Sequence, residues 1–172
     1  MIFQKLLPSF CFALALTLTG LPSASSESNV EEEKIVLTVS GRAQSTDQGE
    51  NASFSITSLR ALPSESFKTS TVWTEGILEF KGVSLSVVLD ETGLSGSRLF
   101  ATAANDYNVE ISIPEPGSKY PIIAYELNGK PMSLREKGPL WIVFPYDHSK
   151  DYQLKTIYAE SVWQLESLTF EE

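Results

Sequence analysis

Thiols and imidazoles are almost missing from this chain. Among its 172 residues stand one cysteine, Cys11, and one histidine, His148. An internal disulfide is therefore excluded, as is a metal site built from cysteine and histidine. His148 lies in the polar run Tyr146-Asp147-His148-Ser149-Lys150-Asp151, the setting of a surface loop rather than of a general base. Glycine-rich phosphate loops, nucleophile elbows and histidine-rich metal motifs are absent. Basic residues are also scarce, with 13 Lys and Arg against 22 Asp and Glu and a formal charge of −9. Such a surface disfavours nucleic acid and anionic lipid, so no nucleic-acid partner is expected.

Long apolar runs are confined to the start. Met1–Lys5 is short and weakly positive, Leu6–Leu21 is apolar, and Pro22-Ser23-Ala24-Ser25-Ser26 is rich in small residues. This is the three-part pattern of a cleaved secretory signal. The run is shorter than the ~20 residues of a bilayer span, and no stop-transfer charges follow it. Cys11 sits inside the run and not at its end, which speaks against a lipoprotein cleavage site. The expected organisation is a signal peptide over 1–25, a flexible acidic leader over 26–34 and one domain over 35–172, with a periplasmic location. Cleavage removes the only cysteine and leaves a charge of about −10. Roughly 145 residues remain, enough for one domain with a proper core.

Beyond the leader the pattern is of short strands with few helices. Ile35, Leu37 and Val39 alternate as in a half-buried strand, 41–51 reads as a polar loop, and Phe54 and Ile56 suggest another strand. Thr57–Pro63 reads as one capped helical turn. Phe67–Trp73 is extended, and Ile77–Phe80 is a strand that Gly82 turns into a short helix. That helix carries Leu85, Val88 and Leu89 on one face and stops at Gly93. Arg98–Ala104 and Val109–Ile113 flank a hairpin turn at 105–108, and Ile122–Leu127 runs into the turn pair Asn128-Gly129. Leu140–Phe144 is continuously apolar and predicts a central strand covered on both faces. Val162–Phe170 is the last strand. The class is α+β: a mostly β, mixed-sheet single domain with a few short helices.

Aromatic and amide groups fall where a flat ligand needs them. Trp73 lies in Thr71-Val72-Trp73-Thr74-Glu75-Gly76, Tyr107 at a hairpin tip, and Tyr125 and Glu126 before Asn128-Gly129. A heteroaromatic ring needs an indole or phenol to stack on, and fixed donors and acceptors at its edge. Trp141 and Trp163, inside apolar strands, are expected in the core.

Several segments resemble one family. Ala124-Tyr125-Glu126-Leu127-Asn128-Gly129-Lys130-Pro131-Met132 resembles the Ala-Tyr-Glu-x-Asn-Gly-x-Pro-Leu segment of the sulfite-oxidase-type molybdopterin-binding domain. Gly138-Pro139-Leu140-Trp141-Ile142-Val143-Phe144-Pro145 is similar to its Gly-x-Pro-Leu-Arg-Leu-Val-Val-Pro strand. Phe80-Lys81-Gly82-Val83-Ser84-Leu85-Ser86-Val87-Val88-Leu89 is similar to its strand-to-helix unit, and Val162-Trp163-Gln164-Leu165 to its closing strand. The segments follow in the family's order and cover most of the chain from Ser53 onward.

The departures carry as much weight. The family's molybdenum-ligating cysteine precedes the Gly-Val-x-Leu unit, where this chain has Thr71-Val72-Trp73-Thr74. Indole and hydroxyl do not replace a soft thiolate, so no molybdenum is expected. Trp141 stands where the family has an arginine, and a tail lysine is replaced near Gln164. The resemblance thus implies a cysteine-free branch whose members bind pterins in the periplasm and work with membrane-bound enzymes of cyclic-dinucleotide signalling. It implies a non-catalytic pterin sensor, with the external part of a transmembrane signalling protein as partner. Its site would comprise Trp73 and Thr74 beside the stacked ring, Asn105, Asp106 and Glu126 at the amino-pyrimidinone edge, and Tyr107 over one face. Asn128 would join the ligand-binding set, the alternative being that Glu126 and Asn128 only shape the hairpin, and Arg135 and Lys137 would reach an anionic substituent. The alternatives are a molybdopterin-dependent oxidoreductase or redox subunit that holds its cofactor without thiolate, and an interaction module with a vestigial pocket.

Overall fold

The computed structural model describes residues 33–43 and 49–172. The expected signal peptide over 1–25, and all of the expected leader except Glu33 and Lys34, lie outside the described residues. In chain order come β1 (Ile35–Ala43), β2 (Gly49–Ser55), α1 (Ile56–Ala61), β3 (Ser64–Ser70), β4 (Ile77–Ser84) and α2 (Leu85–Thr92). Then follow β5 (Leu94–Ser95), β6 (Arg98–Ala103), β7 (Asn108–Ile111), β8 (Ile122–Leu127), β9 (Lys130–Pro131) and β10 (Trp141–Val143). A short helix, α3 (Lys155–Glu160), and β11 (Leu165–Glu171) complete the domain.

The strands form two sheets. One has six strands, ordered β2-β1-β11-β6-β7 with β5 added to β1; the other has five, ordered β10-β8-β4-β3 with β9 added to β8. Every pairing is antiparallel except β1 with β11, which run parallel with Thr38 opposite Ser167. A single cluster of buried side chains draws on both sheets and on α2, among them Leu37, Leu99 and Leu168 from one sheet and Phe80, Ile123 and Ile142 from the other. The domain is therefore α+β and mostly β, as its alternating pattern requires. Among the described residues no helix is long and apolar enough to cross a membrane.

Local chemistry sets the element ends. Ser55 and Ser58 cap α1 reciprocally, each side chain bonded to the other's backbone N–H. Leu85, Val88 and Leu89 turn one face of α2 into the core, and Gly93 ends it in a left-handed conformation with φ 62°. Asn128 and Gly129 both have positive φ, 50° and 72°, the geometry that a two-residue hairpin turn demands.

Several expectations need correction. Strand β3 ends at Ser70, so Trp73 lies in a turn and not in an extended segment, Ile56 opens α1, and the last strand begins at Leu165 rather than Val162. The polar stretch 41–51 is not wholly loop: Gly41 pairs with Glu50 and Ser40 with Asn51, because a strand needs apolar residues only on its buried face. Gly82 does not start the helix. It lies inside β4, where an added Cβ would come within 2.1 Å of the Ile123 carbonyl, so its small size lets β8 approach. The apolar run Leu140–Phe144 is buried but not central. Strand β10 is the edge of its sheet, and its open side is covered by the segment before β11, with Ile142 N–H donating to Val162 O at 2.9 Å. An apolar run reports burial, not position in the sheet.

A candidate ligand cleft walled by aromatic side chains

A cleft of about 250 Å³ lies between the turn at 71–76, the tip of the β6–β7 hairpin, α3 and residues 161–163. Trp73, Tyr158 and Trp163 are its aromatic walls, with Asn105, Tyr107 and Ser161 supplying polar groups.

Trp73 is held by its own turn. Its backbone N–H donates to Thr71 Oγ1 at 3.1 Å, and the Thr71 and Thr74 hydroxyls bond to each other at 2.7 Å. The residue before this turn, Ser70, is clamped by Asp147, whose carboxylate accepts the Ser70 N–H at 2.6 Å and the Ser70 hydroxyl at 2.7 Å. These two bonds, the backbone one foremost, hold the Asp147 carboxyl below the usual carboxylate range. So anchored, the Trp73 ring meets Trp163 at 5.5 Å, Tyr158 at 5.6 Å, Trp141 at 5.9 Å and Tyr146 at 6.1 Å, all edge to face. Each such pair contributes about 0.5–1.5 kcal/mol beyond the area it buries.

Beneath the walls runs a short hydrogen-bond chain. The buried Tyr146 hydroxyl donates to Ser161 Oγ at 2.7 Å, and Ser161 donates to the Ile157 carbonyl at 2.7 Å. Burial pushes the Tyr146 phenol up to about 12, so it stays neutral and remains a donor.

The backbone around the cleft is unusual. Asp106, Lys137 and Gln164 have φ of 63°, 73° and 52°, a region that side chains disfavour. Gln164 is bonded on both sides: its N–H donates to Lys137 O at 3.0 Å, and its carbonyl accepts the Ala104 N–H at 2.9 Å, while Asp106 N–H donates to Ala103 O at 3.0 Å within the hairpin. Each such residue costs of order 1–3 kcal/mol and persists where the surroundings over-determine it, a situation common at binding sites. The Lys137 ammonium lies over the Trp163 ring, 4.4 Å from its centre.

The expected site residues separate into two groups. Trp73, Asn105 and Tyr107 line the cleft, and Lys137 stands one ring away on Trp163. Thr74 supports the Trp73 turn through its hydroxyl. Asp106 is exposed at the hairpin tip beside Asn105, and Arg135 is exposed on the turn at 134–136; neither lines the cleft. Glu126 is bound to Arg60 at 2.9 Å and Asn128 accepts the Glu79 N–H at 2.9 Å, so both serve the β8–β9 hairpin and its neighbours instead. Trp141 is fully buried, as expected, whereas Trp163 is partly buried, packing against the core on one side and forming a cleft wall on the other.

Tyr158, Ser161 and the wall role of Trp163 were not anticipated. A signal for Tyr158 was present: Leu154, Ile157 and Tyr158 share helical spacing. Among the described residues no three His, Cys, Asp or Glu side chains converge as metal ligands would.

Fold and cleft together define a β-rich α+β domain with an aromatic-walled, ring-sized cleft. No protein-family model matches the chain, and no curated protein matches it.

Proposed function

We propose that this chain is a non-catalytic periplasmic binder of a pterin, built on a cysteine-free variant of the sulfite-oxidase-type fold. Its occupancy is passed to the external part of a transmembrane cyclic-dinucleotide signalling enzyme. The observation that carries this reading is the cleft itself: two indoles and a phenol, Trp73, Trp163 and Tyr158, around a space edged by Asn105, Tyr107 and Ser161. Its volume of about 250 Å³ lies just under the ~300–1,000 Å³ of drug-sized sites, which suits a bicyclic ring better than a whole molybdopterin.

The segments that carry the family resemblance support the fold assignment by their adjacency. Strand β8 pairs with β4 on one side and β10 on the other, and Trp163 bridges to Trp141. The residues do not suit a thiolate-bound metal. Where the family places its cysteine, Trp73 packs against four aromatic rings and the flanking threonines bond to each other. For the partner, three segments that adjoin cleft residues in the chain or through a hydrogen bond carry exposed apolar side chains. Val72, Leu134 and Leu154 are 63, 60 and 54% exposed. They belong respectively to the Trp73 turn, the loop bonded to Gln164 and the start of α3.

Titrating the protein purified from its native envelope with reduced and oxidised pterins, by tryptophan fluorescence, tests the reading. Saturable micromolar quenching is expected, with no stoichiometric molybdenum in the same sample. One metal per chain would instead support the oxidoreductase alternative. Binding to a membrane partner without any pterin response would leave the interaction module.

A further inference from the structure

Ser161 ends α3, is 2% exposed and lines the cleft. Its hydroxyl has a fixed polarity. Oγ lies 2.7 Å from the Ile157 carbonyl, which can only accept, so the one Ser161 proton is committed there. The Tyr146 hydroxyl, 2.7 Å away on the other side, must then be the donor to Ser161. Both protons of the pair point toward Ile157. Of the two Ser161 lone pairs, Tyr146 takes one, and the other is all that the hydroxyl can offer an occupant.

The neighbouring groups are also committed. Asn105 Oδ1 accepts the Tyr107 N–H at 3.2 Å, which leaves the Asn105 amide nitrogen as a donor. The Tyr107 hydroxyl donates to the Ala159 carbonyl at 3.2 Å, which leaves it an acceptor. The polar lining therefore offers acceptors at Ser161 and Tyr107 and a donor at Asn105.

We propose that Ser161 is a specificity-determining residue of the cleft: an obligate acceptor that selects flat heterocycles carrying a ring or amino N–H at the edge it meets. This rests on the reading of the cleft as the ligand site. It goes further in naming the class: lactams and amino-pyrimidines with a free N–H are taken, and their N-alkylated counterparts are refused. Tyr146 acts as a positioning residue, because its donated proton and the Ile157 carbonyl together prevent the Ser161 hydroxyl from turning to donate. A buried site built to receive a hydrogen bond discriminates strongly against an analogue that cannot make it.

Calorimetric titration of the full chain with two pairs of probes tests this. The pairs are pterin with N-methylated pterin, methylated at the lactam nitrogen, and quinazolinone with its equivalent N-methyl derivative. The native protein is expected to bind the N–H member of each pair about tenfold more tightly. The double variant Ser161→Ala/Tyr146→Phe removes both hydroxyls, takes from the Ile157 carbonyl only its side-chain donor, and should bind the two members equally. Ser161→Thr, which keeps the hydroxyl, should restore the preference, with circular dichroism confirming the fold of each. Equal binding of both members by the native protein, or an unchanged preference in the double variant, overturns the role of Ser161 and leaves the pterin reading standing. Discrimination within the quinazolinone pair without binding of pterin keeps Ser161 and removes the pterin. Silence from all four probes removes both.

Discussion

The Lys137 ammonium lies 4.4 Å from the centre of the Trp163 ring, and the carbonyl of the same lysine receives the backbone N–H of Gln164 at 3.0 Å. One residue thus supplies both a cation above a cleft wall and a backbone tie to the segment carrying that wall. Among the described residues no carboxylate pairs with Lys137, so its charge remains available to a ligand substituent.

Replacing Lys137 by Met keeps the aliphatic stem and removes the charge. The lost cation–π contact should cost about 0.5–1 kcal/mol of stability, read from a denaturant midpoint. The larger effect is expected on ligand choice. A carboxylated pterin should lose several-fold in affinity while the uncharged parent changes little. The salt dependence of carboxypterin binding should flatten as well.

Trp73→Ala removes the ring around which the other four aromatic residues are arranged. Pterin affinity should fall by about 1–3 kcal/mol, and Trp73→Phe should recover part of it. Calorimetry of the three proteins measures both steps. Unchanged affinity in the alanine variant would remove Trp73 from the site.

The Asp147–Ser70 clamp makes one part of stability depend on pH. Hydrogen bonds from Ser70 lower the Asp147 pKa in the folded state relative to an unfolded value of about 3.9. The clamp therefore contributes in full above about pH 4, and its contribution is lost as pH falls through the lower folded value. Urea midpoints measured from pH 6 downward should drop more steeply for the native protein than for Asp147→Asn. Glu110 and Glu136 are shifted the same way by Arg98 and Ser133, so the difference between the two proteins isolates Asp147.

Gly138→Ala is expected to be among the most damaging small substitutions. Its Cβ would lie 2.2 Å from the Met132 carbonyl, a collision with backbone that no rotamer relieves. A loss of ~3 kcal/mol or more is expected in chemical denaturation. Because Gly138 adjoins Lys137, Trp163 fluorescence should shift at the same time.

The parts of this molecule that were legible in its sequence are those fixed locally. The β6–β7 hairpin, α2 with its glycine stop, and the Asn128-Gly129 turn each rest on residues a few positions apart. Tyr107 could be singled out at its hairpin tip and Trp73 by its polar flanks, whereas Asn105 entered through the family resemblance. Helix α3 escaped because Leu154 offers no capping side chain and its first turn holds no acid. Glu126 looked like a ligand group in its motif, but its partner Arg60 is 66 positions away, beyond the reach of any local pattern. The same holds for Ser161, whose chemistry is set by Tyr146 fifteen positions upstream.

Strand β11, placed between β1 and β6, has a consequence for how the protein is made. The six-stranded sheet cannot zip up in the order of synthesis, because its middle is filled by residues 165–171, after every other strand has been translated. Until then the middle of β1 and the whole facing side of β6 lack the strand that joins them, although β5 already pairs with the end of β1, and the contacts still to form are among the longest in the sequence, which slows assembly. The cleft shares that timing, since Trp163 immediately precedes β11 and Gln164 ties the hairpin strand to the Lys137 loop. A ribosome-bound or prematurely terminated chain lacking this strand would hold two unjoined groups of strands and an incomplete cleft, so an intact cleft becomes a report that β11 has been added.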